Sequence, residues 1–304
     1  MLVLLDTASL YYRAYYAMPE SLTAPDGQPN NMLRGFLSSL TKLSRQLEPT
    51  ALAACWDDDW RPQWRVDALP SYKTHRLADD AEGAEEVPDT LSPQIDALAQ
   101  ILDAAGIARP GALGYEADDI IATLAGAHSG PVTVVTGDRD MVQLVSERIG
   151  VLLTVNGGME KWPLLTPALA LERFGVLPSA YVDFAALRGD ASDGIPGIPG
   201  IGPKTASALI THFGSLDAVL DAASSGVSEK PLTPRIAGLL VEHADQARKA
   251  RLVSTAATDA PVLDLSTSLP ESPVAPVDLD LVLEAWGVKR QFADLAKQLG
   301  VRLS

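Results

Sequence analysis

"VTVVTGDRD", residues 132–140, decides how the rest of the chain is read. Five β-branched residues in succession form a short strand buried on both faces, because such strands read as unbroken apolar runs. The run breaks at Gly137 and is followed at once by Asp138 and Asp140. Two other runs end in the same way, "LVLLD" in Asp6 and "LAACWDD" in Asp57 and Asp58. In an open parallel sheet ligands bind beyond the carboxyl ends of the strands, so three separate segments deliver acids to one place.

Outward from that stretch, strands are expected at Leu2–Leu5, Leu52–Trp56, Val132–Thr136 and Val151–Val155, with helical periodicity between them. Met32, Leu33, Phe36, Leu37, Leu40, Leu43 and Leu47 share one helix face. Ile95, Leu98, Ile101 and Leu102 share another, on a helix that Gly106 closes. The alternation is that of an α/β protein with parallel strands and crossover helices. From about Thr166 the strand signals stop, and "LTPALALERFGV", "SAYVDFAALRG", "KTASALITHFG" and "SLDAVLDAA" read as short helices. The expected division is an α/β core over 1–165 and a mainly helical region over 166–304. The proline-rich "ATDAPVLDLSTSLPESPVAPVDLD" reads as an extended segment before a last helix pair.

The 304 residues are 47% hydrophobic, enough to fill a core. A single cysteine, Cys55, excludes a disulfide framework and a multi-cysteine metal cluster, fits a reducing compartment, and reads as a small core residue. The N-terminus lacks a basic region and no apolar run reaches the length of a membrane span, so a cytoplasmic protein is expected. The net charge of −15 argues against a nucleic-acid partner until the acids are located.

"GYEADDIIATLA" places Glu116, Asp118 and Asp119 in the first turn of a helix, where acids also serve as ordinary caps. "RGDASDGIPGIPGIGPKTASALI", residues 188–210, adds Asp190 and Asp193. The candidates are then Asp6, Asp58, Glu116, Asp118, Asp119, Asp138, Asp140, Asp190 and Asp193. Nine carboxylates in one pocket do not all stay ionised without cations. All-oxygen donors favour Mg²⁺ or Mn²⁺ over zinc, and the four histidines are scattered. Two such ions are what phosphodiester hydrolysis uses. Without the nine acids the chain would still carry −6 of its −15, so local basic strips are expected instead of a basic surface.

The stretch 188–210 is not a P-loop, because Pro203 interrupts the motif before Lys204 and Thr205, nor a dinucleotide fingerprint, because no strand feeds it. It reads as a glycine hairpin between two helices. The N–H groups of Gly200 and Gly202 would hold a duplex phosphate with Lys204 nearby; a plain Pro/Gly turn before a helix is the simpler alternative. "YKTHRLADDAEGAEEVPDTL", from Tyr72 to Leu91, runs from basic to acidic, and its acidic part reads as a solvated loop.

"GYEADDIIATLA", "VVTGDRDMVQLV", "LRGDASDGIPGIPGIGPKTA" and "LPSYKTHR" resemble the bacterial 5′-nuclease family of flap endonucleases and the 5′-exonuclease domain of DNA polymerase I. The resemblance runs in order along almost the whole chain. It implies a Rossmann-like (PIN-like), mostly parallel sheet, a helical arch at about 70–92, and a helix-three-turn-helix at about 185–214 that grips duplex DNA with help from K⁺. The nine acids match the family's metal ligands, with Asp58 placed by counting back from Tyr72 and Arg65. Tyr72, Lys73 and Arg76 match an arch-base motif in which the ring stacks on a base and the cations contact the scissile phosphate; a helix would aim Lys73 and Arg76 the same way. Arg13 matches a further arginine near the site. Gly197, Gly200, Gly202, Lys204 and Thr205 fall on the duplex-binding element.

The implied activity is metal-dependent hydrolysis near junctions of single strand and duplex, for flap and primer removal in replication and repair. The implied partners are flap, nicked or 5′-overhang DNA and RNA–DNA hybrid, used at the nucleoid by a monomer with no membrane and no nucleotide cofactor. Thr7-Ala8 stands where the family has Gly-Ser, and "LADDAEGAEE" replaces a more basic arch. Two other functions compete: a binding protein that has lost catalysis, disfavoured by acids at all nine positions, and a nucleotide switch, disfavoured by Pro203.

Overall fold

A computed structural model describes residues 1–78, 85–227, 229–262 and 264–303. In chain order the elements are β1 (Leu2–Asp6), α1 (Thr7–Ala17), α2 (Asn31–Leu47), β2 (Ala51–Cys55), α3 (Gln63–Ala68), α4 (Ser92–Ala105), α5 (Ala117–Ala127), β3 (Val132–Thr136), β4 (Ile149–Leu153) and β5 (Leu164–Leu165). Helices follow: α6 (Pro167–Phe174), α7 (Tyr181–Arg188), α8 (Pro203–Phe213), α9 (Leu216–Ser224), α10 (Pro234–Glu242), α11 (Ala244–Ser254), α12 (Pro276–Ala285) and α13 (Lys289–Leu299). They form two compact units, Met1–Asp58 with Glu85–Gly137 and Thr258–Ser304, and Asp59–Ala84 with Asp138–Ala257. Residues 138–165 group with the second unit, and the last helix pair with the first.

In the first unit β1 lies between β2 and β3, parallel to both, with Leu2 opposite Ala51 and Val132. All five residues of β1 are buried, as its unbroken apolar run requires. α2 buries the expected stripe; Leu33, Leu37 and Phe36 are at most 1% exposed, each stabilising by about 1.5–3 kcal/mol. α13 packs on α2, and its Phe292 and Leu295 are buried. Gly106 closes α4 in the left-handed region (φ +79°), where glycine carries no Cβ penalty.

Between these helices lies a buried polar knot. Gln94 Oε1 accepts from the N–H groups of Met32 (2.9 Å) and Leu33 (3.3 Å) at the start of α2. Its Nε2 donates to Asn31 Oδ1, and Asn31 Nδ2 donates to the carbonyl of Tyr15 at the end of α1. The knot satisfies helix-end groups that would otherwise be buried unpaired. Part of the proline-rich segment runs beside the sheet: Leu52 N–H donates to the Thr267 carbonyl at 2.8 Å, and Ser268 pairs antiparallel with Ala51, covering the free edge of β2, whereas its last five residues, Pro276–Asp280, already belong to α12.

In the second unit β4 and β5 pair antiparallel, Val151 opposite Leu165. β5 is too short to leave a periodic signal, and β4 begins two residues before its expected start. α7 is the hub: Tyr181, Phe184, Ala185, Ala186 and Leu187 are buried, and it packs on α8, α9 and α11. Arg65 on α3 is 2% exposed and donates from Nε to the Val253 carbonyl at the end of α11 (3.0 Å), a cation placed at a helix C-terminus.

Of the expected arch, 79–84 lie outside the described residues. Between 70 and 78 there is one 3₁₀ turn, Thr74–Arg76, with Lys73 before it in the left-handed region (φ +49°). A helix carrying Lys73 and Arg76 on one face is therefore not formed there.

Candidate active site

In the first unit, strand β1 passes into α1 without a loop, and Asp6 is the cap. Its Oδ1 accepts from Ser9 N–H (3.1 Å) and its Oδ2 from the Thr136 hydroxyl at the end of β3 (2.6 Å). The neighbouring strand end thus fixes the carboxylate's orientation. Gly137 N–H donates to Ser9 Oγ at 2.9 Å, tightening the same corner. Thr7, at the departure from the family pattern, is fully buried and starts the helix.

α5 begins with a capping box: Glu116 accepts from the N–H of Asp119, and Asp119 Oδ2 accepts from the N–H of Glu116 at 3.0 Å. Glu116 and Asp119 are 2% and 0% exposed, and both acids hold the helix start. Asp118 is half-buried beside them. Asp57 Oδ1 accepts the N–H of Ala117, the first residue of α5, at 2.8 Å. The Cys55 thiol is held well above its ordinary pKa, first by burial and then by Asp6, Asp118 and Asp57. These three carboxylates therefore gather around the end of β2.

Asp58, the residue expected there, is placed elsewhere. Its carboxyl group lies against Gly111, where an added Cβ would sit 2.7 Å from the carboxyl carbon. Arg109, whose pKa is raised first by its hydrogen bond to Asp103, also feels Asp58. β2 ends at Cys55 and the chain bends from Asp58 onward, so the two adjacent aspartates are sent in different directions. Asp57, which was not among the candidates, is thus the one of the two whose carboxylate meets the first turn of α5. Its signal was available: it is the second residue after the apolar run. Arg13, on α1, is half-buried, and burial lowers its pKa.

In the second unit Asp138 Oδ1 accepts from Asp140 N–H at 2.7 Å, opening the 3₁₀ turn Asp140–Leu144. Asp140 is 7% exposed, and its pKa is pushed well above the carboxylate range, first by burial and then by Asp138, Asp193 and Asp190; Arg188 opposes them. Those four acids thus share one neighbourhood. Asp190 Oδ1 accepts from Ser192 N–H (2.9 Å), and its Oδ2 pairs with Arg188 Nη2 at 3.0 Å. Asp193 Oδ1 pairs with Arg76 Nη2 at 2.8 Å, and its carbonyl takes the Lys73 N–H at 2.9 Å.

Tyr72, Lys73 and Arg76 are thus set against the turn that holds Asp190 and Asp193. Gly194 (φ +66°) is what allows it, since a Cβ there would lie 2.3 Å from the Ser71 carbonyl oxygen. Tyr72 is 3% exposed and Lys73 8%, with Lys73 Nζ donating to the Trp60 carbonyl at 3.3 Å. Arg76 keeps 35% of its side chain exposed.

The hairpin between α7 and α8 is anchored by buried Ile195, Ile198 and Ile201. Gly197 packs on the chain at Arg188, where an added Cβ would meet the carbonyl oxygen at 2.1 Å. Gly200 (φ +78°), Gly202 and Lys204 are exposed, and Thr205 is half-buried at the start of α8. Gly202 has nothing within 4 Å of a Cβ position.

Both acid groups offer only oxygen ligands, which suits hard divalent cations that prefer carboxylates and water. Among the described residues no three His, Cys, Asp or Glu side chains close around one point, so these are open groups of donors and not a preformed cage. The class defined by such acids at strand ends is that of cation-dependent phosphodiester hydrolases.

Residues 1–175 match the 5′-3′ exonuclease N-terminal resolvase-like domain, and residues 176–278 match the 5′-3′ exonuclease C-terminal SAM fold. A 5′-3′ exonuclease of Streptomyces coelicolor is 46% identical over 94% of this chain and 96% of its own length. One of Mycobacterium tuberculosis is 43% identical over 98% and 97%. Among solved structures, the bacteriophage T5 flap endonuclease in a pseudo-enzyme–product complex with DNA and metal ions superposes with a TM-score of 0.63 at 17% identity, over 98% of this chain and 96% of that one. The chain belongs to the 5′-3′ exonuclease family. Its fold class is the one the sequence implies, an α/β unit with parallel strands and a helical unit carrying the hairpin, and no helix among the described residues is long and apolar enough to cross a membrane.

Proposed function

We propose that this protein is a divalent-cation-dependent 5′ nuclease that hydrolyses DNA near junctions of single strand and duplex, as a flap endonuclease and 5′-3′ exonuclease. The observation that carries the reading is Asp140: a carboxyl buried among Asp138, Asp190 and Asp193 is held toward its neutral form unless cations offset the charge.

Asp6, Asp57, Glu116, Asp118 and Asp119 in one unit, and Asp138, Asp140, Asp190 and Asp193 in the other, are the oxygen donors for Mg²⁺ or Mn²⁺. Asp57 takes the place first given to Asp58. Two such ions supply activation of water and neutralisation of the leaving oxygen. Arg76 is the residue with most freedom to meet the scissile phosphate, exchanging the Asp193 carboxylate for it. Lys73, whose ammonium lies 5.1 Å from the Tyr72 ring centroid, adds positive charge at the same point, and the Tyr72 ring supports a base once the turn admits it. Arg13 assists from α1. The exposed N–H groups of Gly200 and Gly202, with Lys204 and Thr205, hold a duplex phosphate without reading sequence, and Gly197 keeps that hairpin in shape; K⁺ would bind there. The protein acts as a monomer on flap, nicked and 5′-overhang DNA and on RNA–DNA hybrid, in the cytoplasm at the nucleoid.

A 5′-labelled flap duplex incubated with Mg²⁺ or Mn²⁺, beside an EDTA control, tests this. Products ending near the junction, absent with EDTA, are expected. A flap that is bound but left intact in both metals would overturn the catalytic reading in favour of a binding protein.

A further inference from the structure

Tyr181 opens α7 and is fully buried, its ring edge-on to Phe174 (centroids 5.2 Å apart, 82°) and tilted against Phe184 at 5.7 Å. A ring wedged between two others has its hydroxyl direction fixed, yet its O–H proton meets no acceptor among the described residues. α7 packs directly on the 3₁₀ turn that begins at Asp140, and Asp140 Oδ1 is likewise buried without a partner. Tyr181 feels the charges of Asp140, Arg188 and Asp138, and the Arg188 guanidinium also acts on it as a donor to the hydroxyl oxygen, which leaves the O–H proton still to be placed. A buried O–H without an acceptor and a buried carboxylate oxygen without a donor, within electrostatic reach of each other, are complementary. Packing alone gives no reason for the hydroxyl, since phenylalanine would fill the same space without a desolvated polar atom.

We propose that Tyr181 is a positioning residue for Asp140, its hydroxyl donating to Oδ1 directly or through one water when the carboxylate is ionised and holding a cation. Arg188 completes the arrangement from the far end of the same helix. Its guanidinium pairs with Asp190, donates from Nε to the Gly189 carbonyl at 3.0 Å and lies over the Phe184 ring at 5.2 Å, so it is locked in place. α7 thereby carries one neutral donor and one cation toward the same acid group. The effect is to orient Asp140 as a charged ligand, as outer hydrogen bonds do for metal-binding carboxylates. This rests on the reading of Asp140 as a cation ligand.

The test compares wild type, Tyr181→Phe, Asp140→Asn and the double variant by calorimetric titration with Mn²⁺ in the absence of DNA, with thermal melting alongside. Weaker Mn²⁺ binding in Asp140→Asn checks the underlying reading by itself. Tyr181→Phe should weaken Mn²⁺ binding more than threefold with an unchanged melting temperature, and should add no further loss on top of Asp140→Asn. Binding within threefold of wild type, a loss of the same size in the Asp140→Asn background, or a marked fall in melting temperature would each assign the hydroxyl to the fold and overturn the proposal.

Discussion

Adjacent aspartates at the end of β2 separate two accounts of the site, and substituting each in turn distinguishes them. Asp57 Oδ1 accepts the first N–H of α5 at 2.8 Å, whereas Asp58 lies against Gly111 beside Arg109. Asparagine at 57 keeps an oxygen for that N–H, so Asp57→Asn should lower stability by about 0.5 kcal/mol or less, or about 1–2 °C in melting temperature. Its charge is another matter. Each unit of cation charge about 4 Å away loses about 4 kcal/mol of attraction at an effective dielectric near 20. Neighbouring carboxylates and water recover part of this, leaving flap cleavage at fixed Mg²⁺ slower by on the order of 10²-fold. Asp58→Asn removes only a charge near Arg109, which keeps its two-point contact with Asp103 at 2.9 and 2.8 Å. That variant should cleave within about threefold of wild type. Initial rates on a 5′-labelled flap over a Mg²⁺ titration measure both. A 10²-fold loss in Asp58→Asn with Asp57→Asn near wild type would refute the placement.

Other changes give separate expectations. Gly197→Ala drives a methyl onto the Arg188 carbonyl oxygen at 2.1 Å and should destabilise by about 3 kcal/mol or more, seen in urea melts; a melt like wild type would show that the hairpin yields. Gly202→Ala meets nothing within 4 Å, so its melting temperature should hold while duplex affinity falls; undiminished affinity would remove Gly202 from the phosphate contact. Gln94→Ala strands the Met32 and Leu33 N–H groups and should lower stability by about 2–4 kcal/mol in the same melts, against no change if water replaces the amide. Asp140 binds its proton more tightly folded than unfolded, so its contribution to stability is full below the ordinary carboxylate pKa and is lost as pH rises through the raised one. In EDTA, the melting temperature of wild type relative to Asp140→Asn should therefore fall as pH is raised from 5 to 8; a constant difference would contradict the shift.

Much of the first unit was legible because its signals are local. "VTVVT" announces β3 residue for residue, the Met32–Leu47 stripe announces α2, and Gly106 announces the end of α4. What stayed hidden depends on distance along the chain. No local pattern says that Thr267 and Ser268 cover β2, or that α13 packs on α2, since those contacts cross some two hundred residues. Among the candidate acids, Asp138, Asp140, Asp190 and Asp193 share one neighbourhood, while Asp6 and Asp118 gather at the end of β2. Which of Asp57 and Asp58 meets α5 depends on the bend that begins after β2, and a run of adjacent aspartates carries no local signal of it. The state of Tyr72 and Lys73 was equally out of reach: a basic, polar run reads as exposed, and only the fit of Ser71 over Gly194 shows it to be buried. Arg188 sat in plain view two residues before Asp190, and its role as an internal counter-ion appears only once α7 is packed.

The chemistry assigned to the clustered carboxylates is tested most directly by Asp138→Ala/Asp140→Ala assayed beside wild type on one 5′-labelled flap duplex, with binding measured in EDTA and cleavage in Mg²⁺ and Mn²⁺. The account predicts that the double variant binds the flap as wild type does and yields no product in either metal. Cleavage near the junction at the wild-type rate would place the chemistry elsewhere.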